Sequence, residues 1–395
     1  MLIEILLFLF LGTIAGTITG LIPGIHINLM GAFLISLSAS LLFSIPSIFL
    51  ITFISSMAIT HTFLDFIPSI FLGCPDTDTE LSILPGHKLL KKGKGYEAIM
   101  LTAYGSLAAV IILIIICFPA IKIIQYTYEI IKSIVPYLLI FISILLIILE
   151  KKKLSALFVF MLTGILGLII LNLEINEPLL PLLTGLFGSS MILISLKNKT
   201  KIPEQKISKI SKPKIFKPVV GALIASPLCS FLPGMGSGQA AIIGNIISRV
   251  NKKGFLVLLG ATNTLVMGFS FISLYTISKA RTGAAVAIKE IIQNLSLETL
   301  LLILFIILLS GIISFFLTKK LTKMLARKIN KINYSLLSIG TLFILFIIVI
   351  LISNTLGLIT LIISTITGIY CMSFNVKRAN MMGCLLLPVI LFYLL

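Results

Sequence analysis

Apolar runs of roughly 17 to 25 residues follow one another from end to end of this chain, each long enough as a helix to cross the ~30 Å hydrocarbon layer of a bilayer. Lipid cannot hydrogen-bond a backbone, so runs of this length and composition must satisfy their own amides as helices. With 58% hydrophobic residues, 11% charged and a mean hydropathy of +1.19 over 395 residues, the chain holds more apolar surface than a soluble core can hide. The fold class is therefore an all-α polytopic membrane protein. Met1-Leu-Ile-Glu4 has neither a basic n-region nor a small-residue cleavage site, so the first run is expected to be kept as a span.

Polar breaks divide the chain into segments near residues 2–20, 26–44, 47–72, 98–121, 134–149, 155–172 and 179–196, then 216–232, 238–250, 254–278, 297–318, 334–353, 355–374 and 379–395. Segment 238–250 is too short to span, and the expected total is roughly ten to fourteen crossings. Seven segments on each side of a basic stretch give a division into an N-terminal repeat (1–196), a linker (197–215) and a C-terminal repeat (216–395). An odd number of segments per half gives the halves opposite polarity if both Pro-Gly pairs are re-entrant hairpins, which predicts an inverted-topology repeat with Pro-Gly-broken or re-entrant helices; unrelated halves are the alternative.

The formal charge of +18 sits in short loops beside spans, with no basic amphipathic face of the kind nucleic acid requires. Lys197 to Lys217 holds eight lysines against Glu204 alone, and Lys319 to Lys331 holds six basic residues and no acid. By the positive-inside rule both face the cytoplasm, as do Lys88 to Lys94 and Lys151 to Lys153, with Glu174 and Glu177 outside. The five cysteines show no C-x-x-C spacing and read as small apolar core residues.

Two segments echo each other: Gly20-Leu-Ile-Pro23-Gly24-Ile-His26-Ile-Asn28 and Ser230-Phe-Leu-Pro233-Gly234-Met-Gly236-Ser237-Gly238-Gln239. Pro-Gly breaks a helix, and a break inside a membrane is tolerated only where protein or a wet cavity satisfies the freed groups. Opposed breaks would aim two helix N-termini at one point, a cradle for an anion, with His26, Asn28, Ser237, Gln239 and Asn245 able to join. A plain kink is the simpler reading. A second echo pairs Thr60-His61-Thr62 with Thr262-Asn263-Thr264.

The third segment is unusually polar: at 100° per residue Ser55, His61, Thr62, Asp65 and Ser69 fall within an arc of about 120°. Asp65 is the one carboxylate deep in an apolar run, and His61 lies one turn before it. Such groups face cavities or partners because exposure to hydrocarbon costs about 2.5 to 3.5 kcal/mol or more. Either they couple transport to protons or cations, or they form a structural His–Asp pair. Asp76, Asp78 and Glu80, interleaved with threonines, suit a hard cation such as sodium, a plain solvated loop, or a helix cap for Leu81 onward. Leu84 to Gly95 reads as a cytoplasmic turn; Lys279 or Arg281 either pairs a substrate carboxylate or an acid such as Asp76, or snorkels at the interface. There is no H-E-x-x-H, G-x-S-x-G or Walker motif, so neither an enzyme nor an ATP-driven pump is indicated.

These residues resemble the TctA family, the large membrane subunit of tripartite tricarboxylate transporters, over most of the chain. Gly20 to Gly24 is similar to the family's first Pro-Gly motif and Phe231 to Gly238 to its second; Ser82 to Gly93 is similar to its loop with an Asp-Gly-Tyr-Pro…Arg-Lys-Gly pattern, and Ala261 to Thr264 to its Asn-rich segment. The chain departs from the family at Gly73 to Glu80 and at Ile277 to Gly283, loops implied to contact substrate, so the resemblance does not carry di- or tricarboxylate specificity over. It implies a permease working with a small membrane subunit and an extracytoplasmic binding protein. The combined expectation is a secondary transporter of a small organic anion in the cytoplasmic membrane, driven by protons or bound sodium, with no other cofactor. A flippase for an anionic polyprenyl-phosphate-like lipid is the alternative, and a passive channel a weaker one.

Overall fold

The computed structural model describes residues 1–22, 45–72, 79–197, 203–207, 214–231, 236–329 and 334–395. All regular structure among them is helical: α1 (Leu2–Leu21), α2 (Ser47–Leu64), α3 (Phe66–Phe71), α4 (Ile83–Leu90), α5 (Gly95–Ile148), α6 (Lys153–Leu171), α7 (Leu179–Leu183), α8 (Ser190–Lys197), α9 (Phe216–Phe231), α10 (Ser237–Ser248), α11 (Lys252–Ile277), α12 (Gly283–Ile291), α13 (Leu297–Lys328), α14 (Tyr334–Ser373) and α15 (Gly383–Leu394). Seven helical stretches among the described residues are long and apolar enough to cross a bilayer, and four shorter apolar ones accompany them. The expected count of crossings thus draws on the shorter helices as well. The polarity is that of a membrane protein, with Leu351 75% and Phe343 63% exposed while Thr60, Thr62, Thr264 and Ser314 are buried.

Two segments expected to be separate, 98–121 and 134–149, form the single element α5, which contains Pro119 and Pro136. Drawn straight, its 54 residues would reach about 80 Å at ~1.5 Å per residue. It doubles back instead. Glu97 at its start pairs with Lys253 at 2.5 Å, while Leu145, Leu146 and Leu149 at its end share a cavity with Lys252. The break expected near residue 354 is present inside α14, where Asn354 takes φ 58.

Close helix approach is set by small residues. Gly12, Gly16 and Gly20 of α1 lie against the carbonyls of Phe53, Met57 and His61 on α2, so the two helices run the same way in near contact. At the crossing of α5 and α11, a methyl at Gly105 would sit 2.0 Å from the Val257 carbonyl, and one at Gly260 2.0 Å from that of Thr102.

The packing of the two halves is reciprocal. α1 lines α2 as α9 lines α11; α2 then packs on α13 of the second half, and α11 on α5 of the first. Likewise α6 packs on α15, and α14 on the α7–α8 region. The linker residue Gln205 accepts from the Gly95 amide at 2.8 Å and donates to the Leu90 carbonyl at 3.1 Å, which holds residues 203–207 of the linker beside the lysine-rich turn after α4.

A candidate anion and coupling site where the halves cross

α2 and α11 are the most enclosed of the membrane-length helices, and they meet through polar side chains. The Asn263 amide donates to Asp65 Oδ2 at 2.6 Å, and Thr62 Oγ1 lies 3.1 Å from Thr264 Oγ1. Asp65 is 3% and Asn263 4% exposed. On the α1 side, His61 Nδ1 lies 3.1 Å from Thr19 Oγ1. On the opposite side, Ser314 of α13 donates to Thr60 at 2.9 Å.

α2 is therefore polar in more directions than the expected 120° arc, because helices enclose it all round: His61 meets α1, Thr62 and Asp65 meet α11, and Thr60 meets α13. Asp65 itself ends α2, its amide donating to the His61 carbonyl at 3.0 Å, and the short α3 follows with Pro68 inside it. The carboxylate therefore sits at the turn joining α2 and α3, inside the single span Ser47–Phe71. Ser69 then returns to the Asp65 carbonyl at 2.9 Å and meets Thr79 at 2.5 Å, tying α3 to the far side of the acidic loop.

Of the residues singled out in the sequence, Pro23, Gly24, His26, Asn28, Asp76, Asp78, Pro233 and Gly234 lie outside the described residues, as does the Glu80 side chain. The second break is described from Gly236 onward. Gly236 is extended and N-caps α10; its amide donates to Gln239 Oε1 at 2.7 Å. The first helical bond is Ala240 N–H to Gly236 C=O, so the amides of Ser237, Gly238 and Gln239 precede the ladder at the positive end of α10. Gln239 is thus a cap through its oxygen, while its buried Nε2 donor meets no acceptor among the described residues. Arg281, expected to pair a carboxylate or to snorkel, donates to the Cys229 carbonyl at 2.5 Å, in the last turn of α9 just before the second break. A cation at a helix C-terminus complements the dipole, and only the fold brings these residues together across 52 positions.

Outside the spans, His87 of α4 is largely enclosed, and its Nε2 has no partner among the described residues. Burial first, then Arg378 and Lys91, push its pKa down from 6.5 to about 4. The neutral ring is the folded form. Its contribution to stability is full above pH ~6.5 and declines as pH falls toward ~4, by up to about 3 kcal/mol. The unfolding midpoint in detergent should accordingly drop between pH 7 and 4.5, and the drop should shrink in His87→Gln; parallel profiles would contradict this.

The profile of the tripartite tricarboxylate transporter TctA family matches residues 6–383. An uncharacterized protein of Methanocaldococcus jannaschii, MJ1079, is 34% identical over 403 residues, covering 98% of this chain and 99% of its own. No solved structure matches the chain. A transporter family agrees with the absence of enzyme motifs, and it gives no support to lipid flipping. Spans, paired polar crossing and family profile converge: the chain belongs to the tripartite tricarboxylate transporter TctA family.

Proposed function

We propose that this permease carries a small organic anion across the cytoplasmic membrane, with Asp65 and His61 coupling it to a proton or sodium gradient. The substrate cradle is the pair of Pro-Gly breaks, around Pro23, Gly24, His26 and Asn28 in one half and Pro233, Gly234, Gly236, Ser237, Gly238 and Gln239 in the other. Asn263 links the cradle to the coupling carboxylate. Asp76, Asp78 and Glu80 form a cation or gating loop at the end of the α2–α3 span. A small membrane subunit and an extracytoplasmic binding protein deliver the substrate.

One observation carries this reading: the Thr62–Thr264 hydrogen bond joins the two residues that the internal echo makes counterparts. In a two-fold arrangement, contacts between counterparts fall on the axis. The reciprocal packing of α2 with α13 and of α11 with α5 supports the same inverted repeat. The coupling carboxylate therefore sits beside the pivot, at the contact that rocking of one half against the other must alter.

In proteoliposomes containing the permease and its partner subunits, uptake of labelled carboxylate should saturate and collapse when an ionophore removes the driving gradient. Flux that neither saturates nor accumulates would indicate a channel instead. In a background without native cysteines, Thr62→Cys with Thr264→Cys should form a disulfide on mild oxidation, since the two oxygens are 3.1 Å apart. Uptake should fall by about tenfold or more and return with reductant if the crossing must move. Cross-linked protein with undiminished uptake would rule out this pivot.

A further inference from the structure

A cavity of about 360 Å³ lies away from the α2–α11 contact, and Asn245, expected at the anion cradle, lines it instead. α4 and the end of α5 form one wall; α10, the start of α11 and residues 377–379 form the other. Four cations line it: Lys88, Lys252, Lys377 and Arg378. Glu150 pairs with Lys377 at 3.3 Å, whereas Lys88, Lys252 and Arg378 have no carboxylate among the described residues. Arg378 is the unusual one. Its Nη1 is buried without an acceptor, and its Nη2 faces only the sulfurs of Met191 and Met372, which are weak acceptors. An unmatched, largely buried guanidinium is costly in low dielectric, and an anion in the adjoining cavity would offset that cost.

The rim identifies the kind of anion. Leu149, 58% exposed, and Ile246, 38% exposed, lie near the C-terminal ends of α5 and α10 and give the cavity an apolar rim of the kind that acyl chains can cover. The lysine-rich turns after α4 and α5 flank the same level, where headgroups lie. The volume holds a phosphate headgroup and the upper methylenes of its chains but not a whole diacyl lipid. A soluble carboxylate would gain nothing from the apolar wall.

We infer that this cavity seats the phosphate headgroup of an anionic membrane lipid, clamped between Lys88 of the first half and Lys252 and Arg378 of the second. The bound lipid bridges the two halves on the side of the lysine-rich loops. It is a structural ligand, separate from the transported anion.

The chain has no tryptophan, so Phe255→Trp, on the cavity wall, supplies a single reporter. Phosphatidylglycerol with brominated chains should quench it about tenfold more effectively, by concentration, than brominated phosphatidylcholine, a preference of ~1.4 kcal/mol in all. Lys88→Gln with Lys252→Gln should bring the two lipids to within about twofold, while Lys319→Gln with Lys320→Gln should leave the preference intact. Native mass spectrometry of the unsubstituted protein should retain one anionic lipid that the double variant loses. Equal quenching by both lipids and no retained lipid would overturn the inference. So would displacement of the lipid by millimolar inorganic phosphate or by substrate carboxylate, which would make this a soluble-anion site.

Discussion

Asp65→Asn is expected to abolish gradient-driven accumulation, by about 100-fold or more, while the protein remains folded. The substitution keeps the shape of the side chain and the possibility of hydrogen bonding to Asn263, now amide to amide, so the α2–α11 crossing at 2.6 Å is retained. What it removes is the one buried carboxylate among the described residues of that crossing. Two buried groups with a complementary charge or hydrogen bond are held at modest net cost, but a group that must gain and lose a proton or sodium ion cannot be replaced by an amide. Substrate exchange down its own gradient should persist, because the amides at the start of α10, where the cradle is proposed, are untouched. The decisive measurement compares accumulation and exchange in one reconstituted preparation whose melting profile matches the parent. Accumulation within about twofold of the parent would leave Asp65 a structural partner of Asn263 and move coupling elsewhere. Loss of both accumulation and fold would say the same about its structural role.

Much of this architecture was readable from residue type alone. Hydropathy marks the long spans, and the break at Asn354 and the short helix Ser237–Ser248 both fall where polar punctuation places them. Asp65 and Asn263 each stand out as polar residues inside apolar runs. Their pairing does not, because the partners are 198 residues apart and helical periodicity describes only one helix at a time. The same limit applies to Arg281 and the Cys229 carbonyl. α2 shows a further limit: a helix enclosed on every side has no single polar face, so the arc from Ser55 to Ser69 understated its contacts. α5 looked like two segments because its middle is polar; the chain stays helical there while its two ends return to the same end of α11. The Gly12, Gly16, Gly20 spacing was available in the sequence and marks one face of α1 as a contact surface.

Substitution of Gly260 should have a large effect on folding, as should substitution of Gly105 on the other side of the α5–α11 contact. α11 is the most enclosed span, and Gly260 lies where it touches α5: a Cβ there would stand 2.0 Å from the Thr102 carbonyl oxygen and 2.7 Å from its carbon. Those are backbone atoms in a helix, so no rotamer change relieves the overlap, and α5 and α11 must separate. The Ser106 hydroxyl, which donates to the Gly260 carbonyl at 3.0 Å, would be lost with the approach. Gly260→Ala is therefore expected to cost about 1–3 kcal/mol, and Gly260→Leu to leave little folded protein. Gly340 of α14 supplies the contrast, since a Cβ there meets nothing within 4 Å. Gly340→Ala should stabilise by roughly 0.5–1 kcal/mol, because alanine loses less backbone freedom than glycine on entering a helix. Separation at Gly260 also moves Asn263, one turn further along α11, relative to Asp65. Material of Gly260→Ala that does fold should thus show weakened coupling with near-normal exchange, so that one small methyl separates the packing of the crossing from its chemistry. Unfolding midpoints for the three variants, read beside accumulation and exchange, decide the matter; equal tolerance of alanine at positions 260 and 340 would mean that the close α5–α11 contact does not exist in the membrane.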